Sequence, residues 1–285
     1  MKILLTGSSG FVGKETHKYL LEKGWEVIPF DLMNGGQDIT DFESLEKAVL
    51  DSRPDRILHL AATARFSDAD KNPIRAFRTN AWGTKNIAEI SKKYHIPVVY
   101  SSTGSVYMPV TQTPPITEEF TANGNSNYAC SKRLGELWLQ EIANPWIILR
   151  YGHLYGAEKR YHGLIGGFIS RIERGLEPKL FGGQQSNDFA YVKDIAHANY
   201  CALKATWENW NQIYNIGTGE EITAEDAGKL VCELMGYQDK IEINKGREVD
   251  PERFVYDTSK AEHMLGFKAK YTFAEGLKDM LGALK

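Results

Sequence analysis

Lys2-Ile-Leu-Leu-Thr6, followed at once by Gly7-Ser-Ser-Gly10-Phe-Val-Gly13, is the part of this chain from which its architecture is most readily inferred. The first segment is an apolar run of strand length, and the second is a G-x-x-G-x-x-G loop. An amphipathic pattern from about 11 to 23 indicates a helix, which Gly24 ends. Residues 25–31 then read as a second strand. The pattern predicts a β-α-β unit with glycines at its first strand-to-helix turn.

The glycines of this turn predict a site for the diphosphate of a dinucleotide. Gly7, Gly10 and Gly13 carry no Cβ, so the turn can be tight and a phosphate can approach the backbone. Phe11 and Val12 begin the helix, where free N–H groups and the helix dipole favour an anion. We therefore expect these five residues to bind the cofactor.

Asp31 ends the second strand, eighteen residues after Gly13. A carboxylate at this position can accept hydrogen bonds from the 2′- and 3′-hydroxyls of a ribose, and it repels a 2′-phosphate. The following residues, Leu32-Met-Asn34, offer no cation that would offset this repulsion. The sequence therefore predicts NAD rather than NADP.

Two other interpretations of the loop are weaker. A P-loop has the pattern G-x-x-x-x-G-K-[ST]. Gly13-Lys14 matches its end, but Ser8 stands in place of the first glycine and Glu15 in place of the hydroxyl residue. A glycine-rich turn without a ligand is the second alternative. Strand, glycines, helix, strand and acid in register weigh against it.

Composition and charge exclude several classes of protein. The 285 residues are 42% hydrophobic and 25% charged, as in ordinary soluble proteins. A net charge of −3 without a basic tract gives no reason to expect a nucleic-acid partner, and the apolar runs are too short to predict a membrane span. Cys130, Cys201 and Cys232 are widely spaced, which favours reduced thiols in a cytoplasmic protein. The seven histidines form no metal-binding motif, so no metal is predicted.

Strand and helix patterns alternate along the first half of the chain. Apolar segments at 56–60, 97–101 and 146–150 have strand length, and helical patterns cover 73–94 and 128–142. Such alternation predicts an α/β fold, with a doubly wound parallel sheet and helices on both faces. Ligands bind at the carboxyl ends of the strands in such sheets.

After residue 150 the alternation weakens. We expect a cofactor domain over residues 1–150 and a smaller, interleaved substrate domain over residues 151–285. The region near 189–215 has a helix and a strand that could return to the first sheet. The cleft between the two parts would hold the site.

Tyr128 and Lys132 are four residues apart on a predicted helix, so both side chains lie on one face. A free tyrosine has a pKa of about 10, and a nearby ammonium favours the phenolate and lowers that pKa. Tyr128 is therefore a candidate general acid/base. Thr103 follows the fourth predicted strand, where a hydroxyl can hold a substrate oxygen.

With these motifs in order, the chain resembles the extended short-chain dehydrogenase/reductase superfamily and, within it, the NAD-dependent sugar epimerase/dehydratase group. The resemblance covers nearly the whole chain and implies a Rossmann-type fold. The matching motifs are Gly7, Gly10 and Gly13, Asp31, Asp38-Ile39, His59-Leu-Ala-Ala62, Asn80-x-x-Gly-Thr84, Thr103, Tyr128, Lys132, Arg150-Tyr-Gly-His-Leu-Tyr-Gly156, Asp188-Phe-x-Tyr-Val-x-Asp194 and Tyr214-Asn-Ile-Gly217.

The resemblance also implies roles for these residues. Tyr128 would be the acid/base, Lys132 would also hold the nicotinamide ribose, and Thr103 would orient the reacting hydroxyl. The segments at 73–94 and 128–142 would pair across a homodimer interface. Further cofactor contacts would come from Asp38, Ile39, Leu60, Ala61, Ala62, Asn80 and Ser101.

Departures from the family pattern concern the substrate. Dehydratases of the group carry Asp-Glu after the catalytic threonine, whereas this chain has Gly104 and Ser105. Two residues that help bind a substrate diphosphate in relatives are replaced, an asparagine by His153 and an arginine by Asn187. The second arginine of that kind is retained as Arg247. We assign these five residues and Thr103 to substrate binding, although packing at the cleft is the plainer interpretation of His153.

The sequence thus predicts an NAD-dependent epimerase that acts on a sugar, more specifically a nucleotide sugar, through a transient ketone. A sugar dehydrogenase or keto-sugar reductase with net redox chemistry is the nearest alternative. A non-catalytic protein that senses dinucleotides is an alternative of another class, and the presence of Thr103, Tyr128 and Lys132 weighs against it.

Overall fold

The computed structural model describes residues 1–110, 112–157, 163–246 and 252–284. In chain order, its strands are β1 (Lys2–Thr6), β2 (Glu26–Phe30), β3 (Arg56–His59), β4 (Val98–Thr103), β5 (Trp146–Tyr151), β6 (His153–Tyr155), β7 (Lys179–Phe181), β8 (Ser186–Asn187), β9 (Phe189–Tyr191), β10 (Gln212–Ile216), β11 (Ile222–Thr223) and β12 (Glu242–Asn244). The α-helices are α1 (Phe11–Glu22), α2 (Phe42–Ser52), α3 (Phe66–Lys71), α4 (Pro73–Phe77), α5 (Thr84–Tyr94), α6 (Asn127–Ile142), α7 (Gly163–Glu173), α8 (Val192–Leu203), α9 (Ala224–Leu234) and α10 (Phe273–Leu284).

Six strands form one sheet in the order β2-β1-β3-β4-β5-β10. All neighbouring pairs in it are parallel. The chain moves outward from β1 in one direction to β2 and in the other to β3, so the topological switch lies between β1 and β3. Ligands of open α/β sheets bind outside the carboxyl ends of the strands at this point.

The sheet is covered on both faces, which is why its strands are almost continuously apolar. On one face, Leu20 of α1 and Ile195 of α8 pack in a buried cluster with residues of the strands. On the other face, Leu45 of α2, Ile87 of α5 and Leu139 of α6 form a second buried cluster. The predicted doubly wound α/β fold is confirmed.

The segment at 73–94, expected as one helix, contains a π-helical turn between α4 and α5. This turn covers Arg78–Gly83 and carries the buried Asn80. A Cβ on Gly83 would lie 2.5 Å from the Ile39 side chain, so the turn passes very close to its neighbour. Wider turns of this kind are frequent at functional sites.

The second half of the chain contributes both to the sheet and to a smaller region. β10 is the edge strand beside β5, and α8 packs against α1. The remaining strands form three short pairs, β6 with β9, β7 with β12 and β8 with β11. α7, α9 and α10 share a third apolar cluster beside these pairs. Among the residues described, no helix is long and apolar enough to cross a membrane.

Candidate active site

The glycine loop after β1 forms a tight cradle at the start of α1. Gly7 has a φ of +71°, and a Cβ there would lie 2.6 Å from the backbone nitrogen of Ala61. A Cβ on Gly13 would collide with the carbonyl oxygen of Gly7. Gly10 precedes α1 and has no side chain that could cap the first N–H groups at Phe11. The cradle therefore fits a diphosphate, as its sequence predicts.

Asp31 stands beside this cradle in a fixed orientation. One carboxylate oxygen accepts a hydrogen bond from the N–H of Ser9 at 3.0 Å, and the other accepts one from the N–H of Met33 at 2.9 Å. Carboxylate oxygens have further lone pairs with which to accept hydrogen bonds from a ribose. Asp38 and Ile39 lie on the next turn, where Asp38 accepts from the N–H of Thr40 and Ile39 is buried.

A buried polar chain links the end of β3 to the following helices. The N–H of Ala61 donates to Thr6 Oγ1 at 3.2 Å, and Thr6 Oγ1 lies 2.7 Å from Nδ1 of His59. Nε2 of His59 lies 3.0 Å from Thr84 Oγ1, whose hydroxyl donates to the carbonyl of Asn80 at 2.6 Å. Because the Thr84 hydroxyl donates to Asn80, it accepts from His59, which places the imidazole proton on Nε2. Burial lowers the pKa of His59 well below its ordinary value, so the ring is neutral.

Asn80 ties the loop after β3 to α6. Its Oδ1 accepts from the N–H of Thr63 at 2.7 Å, and its Nδ2 donates to the Thr63 carbonyl at 3.1 Å and to Ser131 Oγ at 2.9 Å. Ala61 and Ala62 on this loop are partly exposed at the sheet edge, as is Leu60. Ser101 is buried, and its hydroxyl donates to the carbonyl of His59 at 3.1 Å.

Thr103, Tyr128 and Lys132 lie together at the carboxyl end of β4. Ser126 caps α6 by accepting from the N–H of Ala129 at 3.1 Å, and this cap places Tyr128 at the start of the helix. Thr103 lies close enough to Tyr128 for its hydroxyl to influence the pKa of the phenol. Two side chains that the sequence predicts to take part in the chemistry are therefore near each other.

The charge state of this group differs from the sequence-based expectation. Burial raises the pKa of Tyr128 to about 12, and the nearby Thr103 hydroxyl opposes this shift. The expected lowering by Lys132 is not seen, and the Nζ of Lys132 lies 4.2 Å from the centroid of the buried Tyr100 ring. Burial lowers the pKa of Lys132 to about 7, while Glu136 opposes this shift. Tyr128 and Lys132 both lie on α6, as their spacing predicts. Spacing contains no information on how far each side chain is removed from water, and this burial determines the two pKa values.

Gly104, one of the predicted substrate residues, is packed closely against two aromatic side chains. A Cβ on Gly104 would collide with the hydroxyl of Tyr256 and would lie 2.5 Å from Cζ of Phe254. The ring of Phe254 is also 6.3 Å from that of His153. The rings of Phe254 and Tyr256 therefore pack against the loop that begins at Thr103. No sequence motif predicts these two aromatic contacts.

His153, Asn187 and Ser105 are brought to the same region. Ser105 Oγ accepts from the Thr103 hydroxyl at 3.1 Å. His153 is exposed on β6, and its ring centroid lies 6.0 Å from that of Phe189. The backbone N–H of His153 donates to the carbonyl of Asp188, the residue after Asn187. Arg247, the remaining predicted anchor, lies outside the described residues.

A buried ionic cluster behind the site was also missed. Glu136 accepts from Ser102 and from two nitrogens of Arg150. The position of Glu136, four residues after Lys132 on the predicted helix, is the sequence feature that indicates a side chain on the same helix face. In the described part of the chain, no group of His, Cys, Asp and Glu residues could hold a metal ion.

Comparisons with known proteins agree with this geometry. Residues 3–217 match the model of the NAD dependent epimerase/dehydratase family. A putative UDP-glucose 4-epimerase of Methanocaldococcus jannaschii is 31% identical over 99% of this chain and 98% of the relative.

Two solved structures extend the similarity to the fold. The UDP-glucose 4-epimerase of Thermotoga maritima with UDP-glucose is 31% identical and superimposes with a TM-score of 0.91 over 99% of this chain and 98% of the other. The UDP-glucose 4-epimerase of Thermus thermophilus in complex with NAD is 30% identical, with a TM-score of 0.87 over 100% and 99% of the two chains. The predicted NAD cofactor and the predicted resemblance are confirmed. This chain belongs to the NAD-dependent epimerase/dehydratase family.

Proposed function

We propose that this protein is an NAD-dependent epimerase that inverts one carbon of a nucleotide sugar through a transient ketone. The observation that carries the proposal is the set Thr103, Tyr128 and Lys132 beside the glycine cradle, with Gly104 where dehydratases carry an acid. The names of the relatives add UDP-hexoses, with inversion at carbon 4, as the first substrates to test.

The cofactor would be held by residues at the switch point of the sheet. The N–H groups at the start of α1 would bind the diphosphate, and Asp31 the adenosine ribose. The chemistry supplied by bound NAD would be acceptance and donation of a hydride at its nicotinamide ring. The further contacts that we propose are Asp38, Ile39, Leu60, Ala61, Ala62, Asn80, Ser101, Tyr128 and Lys132.

Tyr128 would carry the proton. It would take the proton of the sugar hydroxyl during oxidation and give it back to the ketone oxygen during reduction. Thr103, which lies near the phenol, would hold the same sugar oxygen. Lys132, one helical turn away, is the cation that can stabilise the phenolate that proton release leaves. A Tyr128 pKa of about 12 means that the resting phenol is protonated, so Tyr128 would release this proton to solvent before it accepts the proton of the sugar hydroxyl.

A dehydratase is disfavoured on steric grounds. Water elimination in this group uses the acids after the threonine, and Gly104 has no space even for a Cβ because of Phe254 and Tyr256. Net redox chemistry with release of the product is the remaining alternative. The similarity to epimerases over the whole chain favours return of the hydride.

Substrate binding would use Thr103, Gly104 and Ser105 for the sugar, and His153, Asn187 and Arg247 for the diphosphate. An arginine binds phosphate bidentately, and Asn187 supplies only a neutral amide. Arg247 would therefore be the main permanent charge of this set.

Binding of UDP-, dTDP- and GDP-sugars to the native protein and to Arg247→Ala tests this assignment. A charge-assisted contact is worth about 1.5–3 kcal/mol, so we expect a loss of roughly ten- to hundredfold in affinity. Arg253→Ala is the matched control, because Arg253 is exposed and pairs with Glu221. If no nucleotide sugar binds, or if Arg247→Ala leaves binding unchanged, the nucleotide-sugar assignment fails.

We also propose that the protein is a cytoplasmic homodimer with a cofactor domain over 1–150, complemented by the segment near 189–215, and a substrate domain over most of 151–285. The support for a dimer is an exposed apolar surface on α4, the π-helical turn and α6. Ile74 and Trp82 are 83% and 57% exposed there, and Leu134 and Leu137 are exposed on α6, which contacts α4 and the π-helical turn. Burial of such a surface against a second copy removes apolar area from water.

A further inference from the structure

A buried carboxylate lies behind the proposed catalytic residues. Glu136 is fully buried on α6, and its Oε1 accepts from Ser102 Oγ at 2.5 Å and from Nε of Arg150 at 3.0 Å. Its Oε2 accepts from Nη2 of Arg150 and from Nη1 of Arg133, both at 2.7 Å. Both carboxylate oxygens are therefore engaged by charged or hydroxyl donors.

This cluster joins the three elements that form the site. Ser102 lies on β4 and directly precedes Thr103, and Arg150 lies on β5 with its guanidinium 4.7 Å from the Tyr107 ring. Glu136 follows Lys132 by one turn of α6. The carboxylate thus fixes the helix that carries Tyr128 and Lys132 to the strand that carries Thr103.

The same carboxylate is the charged neighbour of Lys132. His59, Tyr100 and Tyr128, which also lie near Lys132, are neutral, because burial lowers the pKa of His59 and raises the pKa values of Tyr100 and Tyr128. Glu136 raises the pKa of Lys132 against the effect of burial. Arg150 and Arg133 keep Glu136 ionised, since they lower its pKa despite its burial.

We propose that Glu136 is a positioning residue for the reaction, whose buried carboxylate aligns α6 with Thr103 and places a negative charge one helical turn from the buried Lys132. The proposal rests on the proposed function, in which the Lys132 cation stabilises the Tyr128 phenolate. Glu136 itself does not touch the substrate. An ionic group buried only for stability would gain little over an apolar one, because desolvation offsets most of its attraction.

Glu136→Gln tests the charge while it keeps the size of the side chain. The protonation of Lys132 in the NAD-bound protein is followed by the chemical shift of its ¹³C-labelled ε-carbon, with Lys132→Met for assignment. We expect its titration midpoint to fall by about one pH unit or more. Because the cation is required, the alkaline decline of kcat should move to lower pH by the same amount, with KM changed less.

Two matched variants separate charge from structure. Ser102→Ala removes one hydrogen bond to Glu136 and no charge, so kcat should fall without a shift of the Lys132 midpoint. Glu141→Gln makes the same charge change at an exposed position of α6, and it should shift neither quantity. An unchanged Lys132 midpoint in folded Glu136→Gln, or an equal shift in Glu141→Gln, overturns the proposal.

Arg133→Gln keeps the test decisive if Glu136→Gln does not fold. Arg133 is 28% exposed, so the protein should tolerate its replacement. The substitution removes one of the two cations that neutralise the Glu136 carboxylate. The Lys132 midpoint should then rise, and a fall or no change contradicts the proposal. The titration does not depend on turnover. A native protein without epimerase activity would therefore refute the proposed function, and the Lys132 titration would still test the role of Glu136.

Discussion

Lys132 is a charge that the fold buries at a cost. Its pKa is lowered from 10.5 in the free side chain to about 7, so the unfolded chain binds more protons between these values. The penalty is complete below pH 7 and disappears as the pH rises towards 10.5. A residue that serves the chemistry in this way should oppose stability.

Lys132→Met should therefore stabilise the protein at low pH. We expect the free energy of unfolding to rise by about 1–2 kcal/mol at pH 6 and by clearly less at pH 10. Urea denaturation of both proteins at the two pH values measures this difference. A destabilisation that is larger at pH 6 than at pH 10 would mean that the ammonium makes net favourable contacts in the folded state.

The sequence predicts those residues of the site whose spacing along the chain is enough to indicate a role. Gly7, Gly13 and Asp31 follow from the turn and strand pattern, and the structure places them around one cradle. Tyr128 and Lys132 follow from their helical spacing, but their pKa values do not. Those values depend on residues distant in sequence that exclude water, and spacing contains no information about them.

At the level of elements, the close contact of α6 with β4 and with the π-helical turn depends on a glycine. A Cβ on Gly135 would lie 2.6 Å from Tyr100 Oη and 2.9 Å from the carbonyl oxygen of Asn80. Gly135 lies three residues after Lys132, so a displacement of the helix here would move the catalytic side chains. Helical periodicity predicts α6 well, but it does not show how near its neighbour lies.

Gly135→Ala should lower both stability and kcat. Overpacking of a close contact costs about 1–3 kcal/mol, which exceeds the gain of about 1 kcal/mol from helix propensity. Gly167→Ala in α7 is the control, because a Cβ there meets nothing within 4 Å, and it should be neutral or stabilising. Thermal unfolding and kcat of both variants check this. Equal effects of the two substitutions would show that propensity, and not packing, governs them.

In the whole molecule, sequence patterns predict the strands of the first half of the chain well and those of the second half poorly. The parallel sheet follows from alternating patterns, and β1 to β5 lie near their predicted positions. The second half contains pairs such as β8 with β11, which have two residues each. Such pairs are too short to show periodicity, and their partners are set by tertiary packing.

The exposed apolar surface on α4 and α6 should hold two copies together. Trp82→Glu places a charge at its centre and should shift the protein to monomers in sedimentation equilibrium. Trp207→Glu is the control, because Trp207 is 63% exposed outside this surface. A native protein that is monomeric at micromolar concentration, or a Trp82→Glu variant that remains dimeric, would remove the dimer proposal.

In the proposed reaction, one hydride leaves the substrate carbon and returns to the same carbon. The most direct measurement uses a UDP-hexose deuterated at carbon 4, with the product analysed by NMR and mass spectrometry and NADH followed by absorbance. We predict the epimer with its deuterium retained and no net NADH, and no turnover by Tyr128→Phe with NAD still bound. Accumulation of NADH with a ketone, loss of the deuterium to solvent, or near-native turnover by Tyr128→Phe would contradict the account.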